Sequence, residues 1–123
     1  MDTSEIKAVI QNYFSACYES DGERFREVLH EAAHVYGRDD AGKLNDRDKE
    51  DFINLIETGK ADRQKQDFPR HEEILSIDFT GEDTAVACVK VRVREILYTD
   101  VLSFIRLNGK WMIISKLYSG VPV

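Results

Sequence analysis

The first residues with chemical potential are His30-Glu31-Ala32-Ala33-His34, which match H-E-x-x-H. On one continuous helix that spacing sets both imidazoles on one face for zinc, with the glutamate as base. The context argues against it. His71 is the only other histidine, and the apolar pattern changes from helix to strand before His34. Solvation and capping of a helix end is the simpler role, so no metal is expected. Asp100 is a second candidate, since it lies on an apolar strand beside Tyr98 and Thr99. A carboxylate buried there can serve as general acid or base. The simpler role is a structural ion pair with Arg94 or Lys116, since structural pairs perturb a carboxylate just as active sites do. Arg92 and Arg94 alternate with valines. On a concave face a guanidinium there would clamp a carboxylate or polar heterocycle; on a convex face it would be solvated. Tyr13, Tyr18, Tyr36 and Trp111 offer aromatic surface with polar tips. The candidate ligand-binding set is therefore Tyr13, Tyr18, Tyr36, Arg94, Asp100 and Trp111, with Asp100 the one catalytic candidate. There is no Gly-rich phosphate loop, Cys-His dyad or serine triad.

These residues must be positioned by elements that the hydrophobic pattern reveals. Tyr98 to Tyr118 reads as two strands joined at Asn108-Gly109. Asn-Gly is the strongest short hairpin signal, because a type I′ turn needs positive φ at both central residues. That turn sets Leu107 opposite Lys110, Arg106 opposite Trp111, Phe104 opposite Ile113 and Leu102 opposite Ser115. The other face carries Val101, Ile105, Met112 and Ile114. Both faces are largely apolar, so each needs cover: helices on one side, a second copy of the chain on the other.

Upstream, Ile6, Val9, Ile10, Tyr13, Phe14, Cys17 and Tyr18 recur at helical spacing over 3–19. Asp2 and Glu5 are placed to cap its start. After the Ser20-Asp21-Gly22 break, a shorter helix carries Phe25, Val28 and Leu29 and is expected to end between His30 and Ala32. A short strand follows at 34–37, then a polar loop to Leu44. Asn45 is the expected N-cap of a helix over 46–58, with Gly59 as its C-terminal stop. The charged run with Lys60, Arg63, Lys65 and Arg70 reads as a solvated loop. From Ile74 the period becomes two: a strand to Phe79, a turn at 80–83, and a long strand from Thr84 to Ile96.

Helices first and antiparallel strands after give an α+β class in one domain spanning 1–123. The class predicts three N-terminal helices packed on a strongly curved, mostly antiparallel sheet, a cone with a pocket at its mouth. A net charge of −6 disfavours nucleic acid and anionic membranes as partners. Cys17 and Cys88 sit far apart at apolar positions, as small buried hydrophobes do. No signal-peptide pattern or long apolar run is present, which gives a cytoplasmic expectation.

Three blocks carry a family resemblance: Tyr13-Phe14 followed by the Asp21-Gly22 break and Phe25; Ala33 to Gly37; and Thr99-Asp100-Val101-Leu102-Ser103-Phe104 through Asn108-Gly109-Lys110-Trp111-Met112-Ile113. Over nearly the whole chain the sequence resembles the nuclear transport factor 2-like superfamily (cystatin-like cone), in its lumazine-binding-like branch. The resemblance implies a cone of three helices and a bent sheet, a dimer through the outer sheet face, and an interior pocket for a small organic ligand. Members include isomerases, dehydratases, polyketide-cyclase-like enzymes and binding modules, so the fold leaves function open. In isomerase-like members the base is a carboxylate just after the short strand that follows the second helix. Here Gly37 and Arg38 stand there, and neither can move a proton. The expectation is a dimeric binding module without a cofactor. The alternative is an isomerase-, dehydratase- or cyclase-like enzyme using Asp100 or a histidine.

Overall fold

The structure is a computed structural model describing residues 2–59 and 67–123. Its elements run α1 (Ser4–Glu19), α2 (Gly22–Val28), β1 (Leu29–Arg38), β2 (Leu44–Asp48), α3 (Lys49–Thr58), β3 (Glu72–Phe79), β4 (Thr84–Val93), β5 (Ile96–Leu107) and β6 (Lys110–Pro122). One six-stranded sheet has the order β2-β1-β6-β5-β4-β3. Only the β1–β6 pair is parallel. The helices cover one face of this curved sheet, and the α+β cone expected from the pattern is the architecture observed.

The core lies between the layers. Ile6, Ile10, Tyr13 and Phe14 of α1 and Phe25 of α2 meet Ala85, Ala87, Val89 and Val91 of β4. The small residues of β4 let α1 approach closely. The opposite face of β4, with Cys88, Lys90 and Arg92, is only partly buried. Arg92 therefore points away from the helices, and its Nε donates to the Arg94 carbonyl at 2.8 Å.

Several boundaries differ from the pattern reading, each for a local reason. The second helix stops at Val28, before His30, because β1 begins at Leu29. Lys49 Nζ donates to the carbonyls of Arg26 and Leu29 at 3.2 and 2.9 Å, closing that end. Between Leu29 and His34 the chain takes five steps while its β6 partner takes two, from Ile113 to Ser115. The extra residues form a bulge that holds His30 to Ala33, and His30 Nδ1 accepts from the Ala32 amide at 2.9 Å. The single helix required by H-E-x-x-H is absent here. At the start of α1, Asp2 accepts from Ser4 N at 2.9 Å, while Thr3 at the N-cap makes no side-chain bond.

The third helix begins at Lys49, not at residue 46. Asn45 belongs to β2, a polar edge strand too short to show a period. The cap is Asp48, whose carboxylate accepts from Asp51 N at 2.9 Å. Asp48→Ala should cost about 1 kcal/mol of unfolding free energy, measurable by urea titration. At the helix end Gly59 has a φ of −88°, so it is not a left-handed stop. The long strand from Thr84 ends at Val93, because Arg94 turns the chain with a φ of 58°. Lys60, Arg63 and Lys65 lie outside the described residues. Arg70 pairs with Glu72 at 2.6 Å.

The hairpin forms at Asn108-Gly109 with the expected partners as far as Phe104 opposite Ile113. Beyond that point a β-bulge intervenes. Ser103 pairs with Ser115 and Leu102 with Lys116, not with Ser115. An added residue reverses the alternation of every later side chain. Trp111 and Ile113 face inward before the bulge; Lys116 faces inward after it.

Candidate functional site

The bulge delivers a lysine into the interior of the cone. Lys116 is 8% exposed. Its Nζ lies 5.2 Å from the Tyr13 ring centre, 5.0 Å from Phe52 and 5.8 Å from Tyr118. Three ring faces around an ammonium stabilise it through their negative quadrupoles. Its ion-pair partner is Asp100 Oδ2, at 3.8 Å.

Asp100 is fully buried. It stands on β5 with Leu102 and Phe104, all inward by alternation. Its Oδ2 accepts a short hydrogen bond from the Tyr13 hydroxyl. Its Oδ1 is buried without a hydrogen-bond partner. Tyr13 comes from the middle of α1 and is itself 0% exposed. Burial first, then the neighbouring Asp100, hold the Tyr13 phenol protonated well above its ordinary value of 10.0.

Beside this triad lies a pocket of about 120 Å³. Cys17, Phe25, Phe52, Leu55 and Ile56 supply its helical wall, and Val35, Val91, Val93, Tyr98 and Tyr118 its sheet wall. Among the described residues, Lys116 and Arg47 are the two cations that reach it, and no carboxylate lines it. Arg47 is paired with Asp51 at 3.2 Å. A buried apolar cavity of about 150 Å³ accepts benzene, so the enclosed part of this one suits a single ring. Tyr118 is held in place by Tyr98 edge-on at 5.8 Å and by Asn45 Nδ2, which donates to its hydroxyl at 3.2 Å. Gly37 makes room for that ring: a Cβ at 37 would collide with Tyr118. The place of an isomerase base is thus filled by the Tyr118 ring.

None of the six residues singled out from sequence lines this pocket. Tyr13 and Asp100 come together directly behind Lys116. Tyr36 stacks on His34 at 5.9 Å, on the face opposite the buried Val35 and Gly37. Tyr18 is 36% exposed; its hydroxyl donates to the Phe68 carbonyl at 3.2 Å, and Arg70 covers its ring. Arg94 occupies the β4–β5 turn. Trp111 packs on Phe79 at 6.0 Å, five residues before Lys116 and so about 15 Å along the strand. The pairing of Asp100 with Lys116, one of the two structural partners considered, is the one observed. The pocket-lining Lys116, Tyr98 and Tyr118 carry no sequence motif; the bulge turns Lys116 inward and resets the alternation at Tyr118, while Tyr98 shares the alternation of Asp100 and Leu102 on β5. His34 Nδ1 lies 2.6 Å from Asp46 Oδ1, and His71 lies 3.8 Å from Glu73. No histidine reaches the pocket.

The three-helix cone with a bent sheet and an interior pocket defines a nuclear transport factor 2-like protein with the cystatin-like fold. The chain belongs to the family described as "Putative lumazine-binding", whose model matches residues 1–119. An NTF2-like protein of unknown function from Shewanella baltica OS155 superposes with a TM-score of 0.85 at 21% identity, covering 98% of this chain and 94% of that one. One from Silicibacter pomeroyi DSS-3 gives 0.83 at 22% identity, covering 98% and 100%. At these identities the likeness is one of fold. A sequence relative, "Aldolase FrzH" from Cladobotryum sp, is 26% identical over 127 residues, covering 98% of this chain and 94% of that protein. No described helix is long and apolar enough to cross a membrane.

Proposed function

We propose that this protein binds a small, partly aromatic organic molecule in the cone, with a carbonyl or enolate oxygen directed at Lys116. The observation that carries the reading is a single-ring apolar pocket that has a buried lysine and, among the described residues, no carboxylate on its wall. Apolar walls supply affinity and one charged group supplies orientation. The working unit in this reading is a homodimer. Val101 and Leu117 on the outer sheet face are 38% and 55% exposed, with Ile105, Met112 and Ile114 partly buried around them. A second copy would cover that face through the same patch, as a two-fold interface requires.

A second reading follows from the aldolase relative. Aldol chemistry needs a group that polarises a carbonyl and a group that moves a proton. Lys116 and the Tyr13–Asp100 pair behind it have those capacities. The two readings share the pocket and differ in turnover.

Native mass spectrometry of freshly purified protein tests the pocket and the dimer together. The expected species is two chains with a small molecule retained. Lys116→Met should lose the molecule, and Leu117→Glu should lose the second chain. A bare monomer from the unaltered protein would sink both proposals.

A further inference from the structure

We infer that Lys116 is a covalent site, forming an imine with the carbonyl of an apolar or aromatic aldehyde or ketone held in the cone. The inference rests on the pocket reading above and adds a bond to it. Three features lead there. Lys116 is the one lysine on the pocket wall among the described residues. Its Nζ is held at 3.8 Å from Asp100 Oδ2, beyond hydrogen-bond length, with ring faces on its other sides. A lysine in apolar surroundings is the setting in which an amine acts as nucleophile. Asp100 Oδ1, buried and unpartnered, is an acceptor with no structural duty among the described residues.

The chemistry balances with these groups alone. A rotation of the Lys116 side chain that brings Nζ within hydrogen-bond reach of Asp100 lets the ammonium pass one proton to it, and the neutral amine then adds to the carbonyl carbon. The C–N bond forms as the C=O π pair moves to oxygen. The resulting carbinolamine oxygen takes a proton from nitrogen and the proton from Asp100, then leaves as water. The products are a protonated C=N bond on Lys116 and one water. Tyr13 keeps its proton throughout and holds Asp100 Oδ2 in place.

Benzaldehyde matches the pocket in size and serves as the probe, with sodium borohydride to reduce the imine to a stable secondary amine. Intact mass and peptide mapping should find one benzyl group per chain, on Lys116. Its labelling rate should exceed that of the exposed Lys43 and Lys110 by at least about tenfold, because the pocket holds the aldehyde against the amine. Lys116→Arg should abolish that label and spare the surface ones. Occupancy is read separately, as the rise in thermal midpoint produced by benzaldehyde and by the inert benzyl alcohol. A rise with selective labelling supports the imine. A rise with labelling spread evenly over surface lysines overturns it and leaves the pocket standing. No rise and no selective label overturns both.

Discussion

Asp100→Ala is expected to remove about 3–5 kcal/mol of unfolding free energy, the usual cost of breaking a buried ion pair from one side. Small domains have only about 5–15 kcal/mol in total, so the variant should sit near the edge of folding. The cost arises from what remains. Lys116 keeps its charge at 8% exposure and loses its one anionic partner among the described residues. Tyr13 keeps a buried hydroxyl with its acceptor gone. Ring faces alone return about 2 kcal/mol to a desolvated cation, less than the deficit. Lys116→Met should be costly by the same logic in reverse, since it leaves a buried carboxylate supported by Tyr13 alone. Removing both charges, in Asp100→Ala with Lys116→Met, should cost less than the sum of the single changes. The shortfall should be about 2–3 kcal/mol, at the upper end of measured couplings between contacting residues. Urea unfolding of the four proteins measures it. Additive costs would mean that the 3.8 Å separation carries no energetic coupling.

That coupling also marks where the sequence stops being legible. The hairpin was readable because Asn108-Gly109 specifies its own turn, and the inner face of β4 because Ala85 to Val91 alternate without interruption. The amphipathic α1 and the cone were readable for the same reason: each follows from a period longer than a few residues. Tyr13 and Asp100 could each be named because a polar atom on an apolar face asks for a partner, but that they are each other's partner was not legible. Lys116 could be named only as one possible partner. Its inward direction depends on one added residue near Ile114 and Ser115, and neither side chain announces a bulge. Counted at strict alternation from Trp111, Lys116 faces outward and Ser115 inward. Tyr98 and Tyr118 were undervalued alongside it. A larger irregularity hides the start of β1, where five steps from Leu29 to His34 face two on β6 and interrupt a helix-like run. The start of α3 was misread because Asn45 and Asp48 are both good caps, and only the pairing of β2 with β1 decides between them.

The placement of charge narrows what the cone can do. In a chain of net charge −6, the charged side chains that line the pocket among the described residues are Lys116 and Arg47, both cations. The buried acid Asp100 lies behind the lysine. An occupant that is itself cationic would meet like charge in a low-dielectric space, which costs more there than in water. Neutral carbonyl compounds and anions remain. The Gly37–Tyr118 contact removes the carboxylate that would abstract a proton in an isomerase. In the reaction proposed above, the proton passes between Lys116 and Asp100 while Tyr13 keeps its own.

Tyr13→Phe tests that pair through its pH dependence. At neutral pH the change deletes a hydrogen bond to a buried carboxylate without altering the ring packing on Phe14 and Phe25. The expected loss is about 1.5–3 kcal/mol, the range for hydrogen bonds to charged groups. The sign of the pH effect follows from the phenol. Folded Tyr13 holds its proton well above 10.0, while the unfolded chain titrates near that value. Below that pH both states are protonated, and the contribution of the phenol is fully present. Above it the unfolded chain sheds a proton that the folded chain retains. Stability then falls by about 1.4 kcal/mol per pH unit until the folded phenol also ionises. A phenylalanine ring has no proton to shed, so the variant lacks this share of the alkaline loss. The gap between wild type and Tyr13→Phe should therefore be widest at neutral pH and should close as pH rises past the ordinary phenol value of 10.0. Denaturant unfolding of both proteins across that range gives the two curves. Parallel curves would mean that Tyr13 is not the protonated partner of Asp100, and the proton path proposed for the cone would lose its anchor.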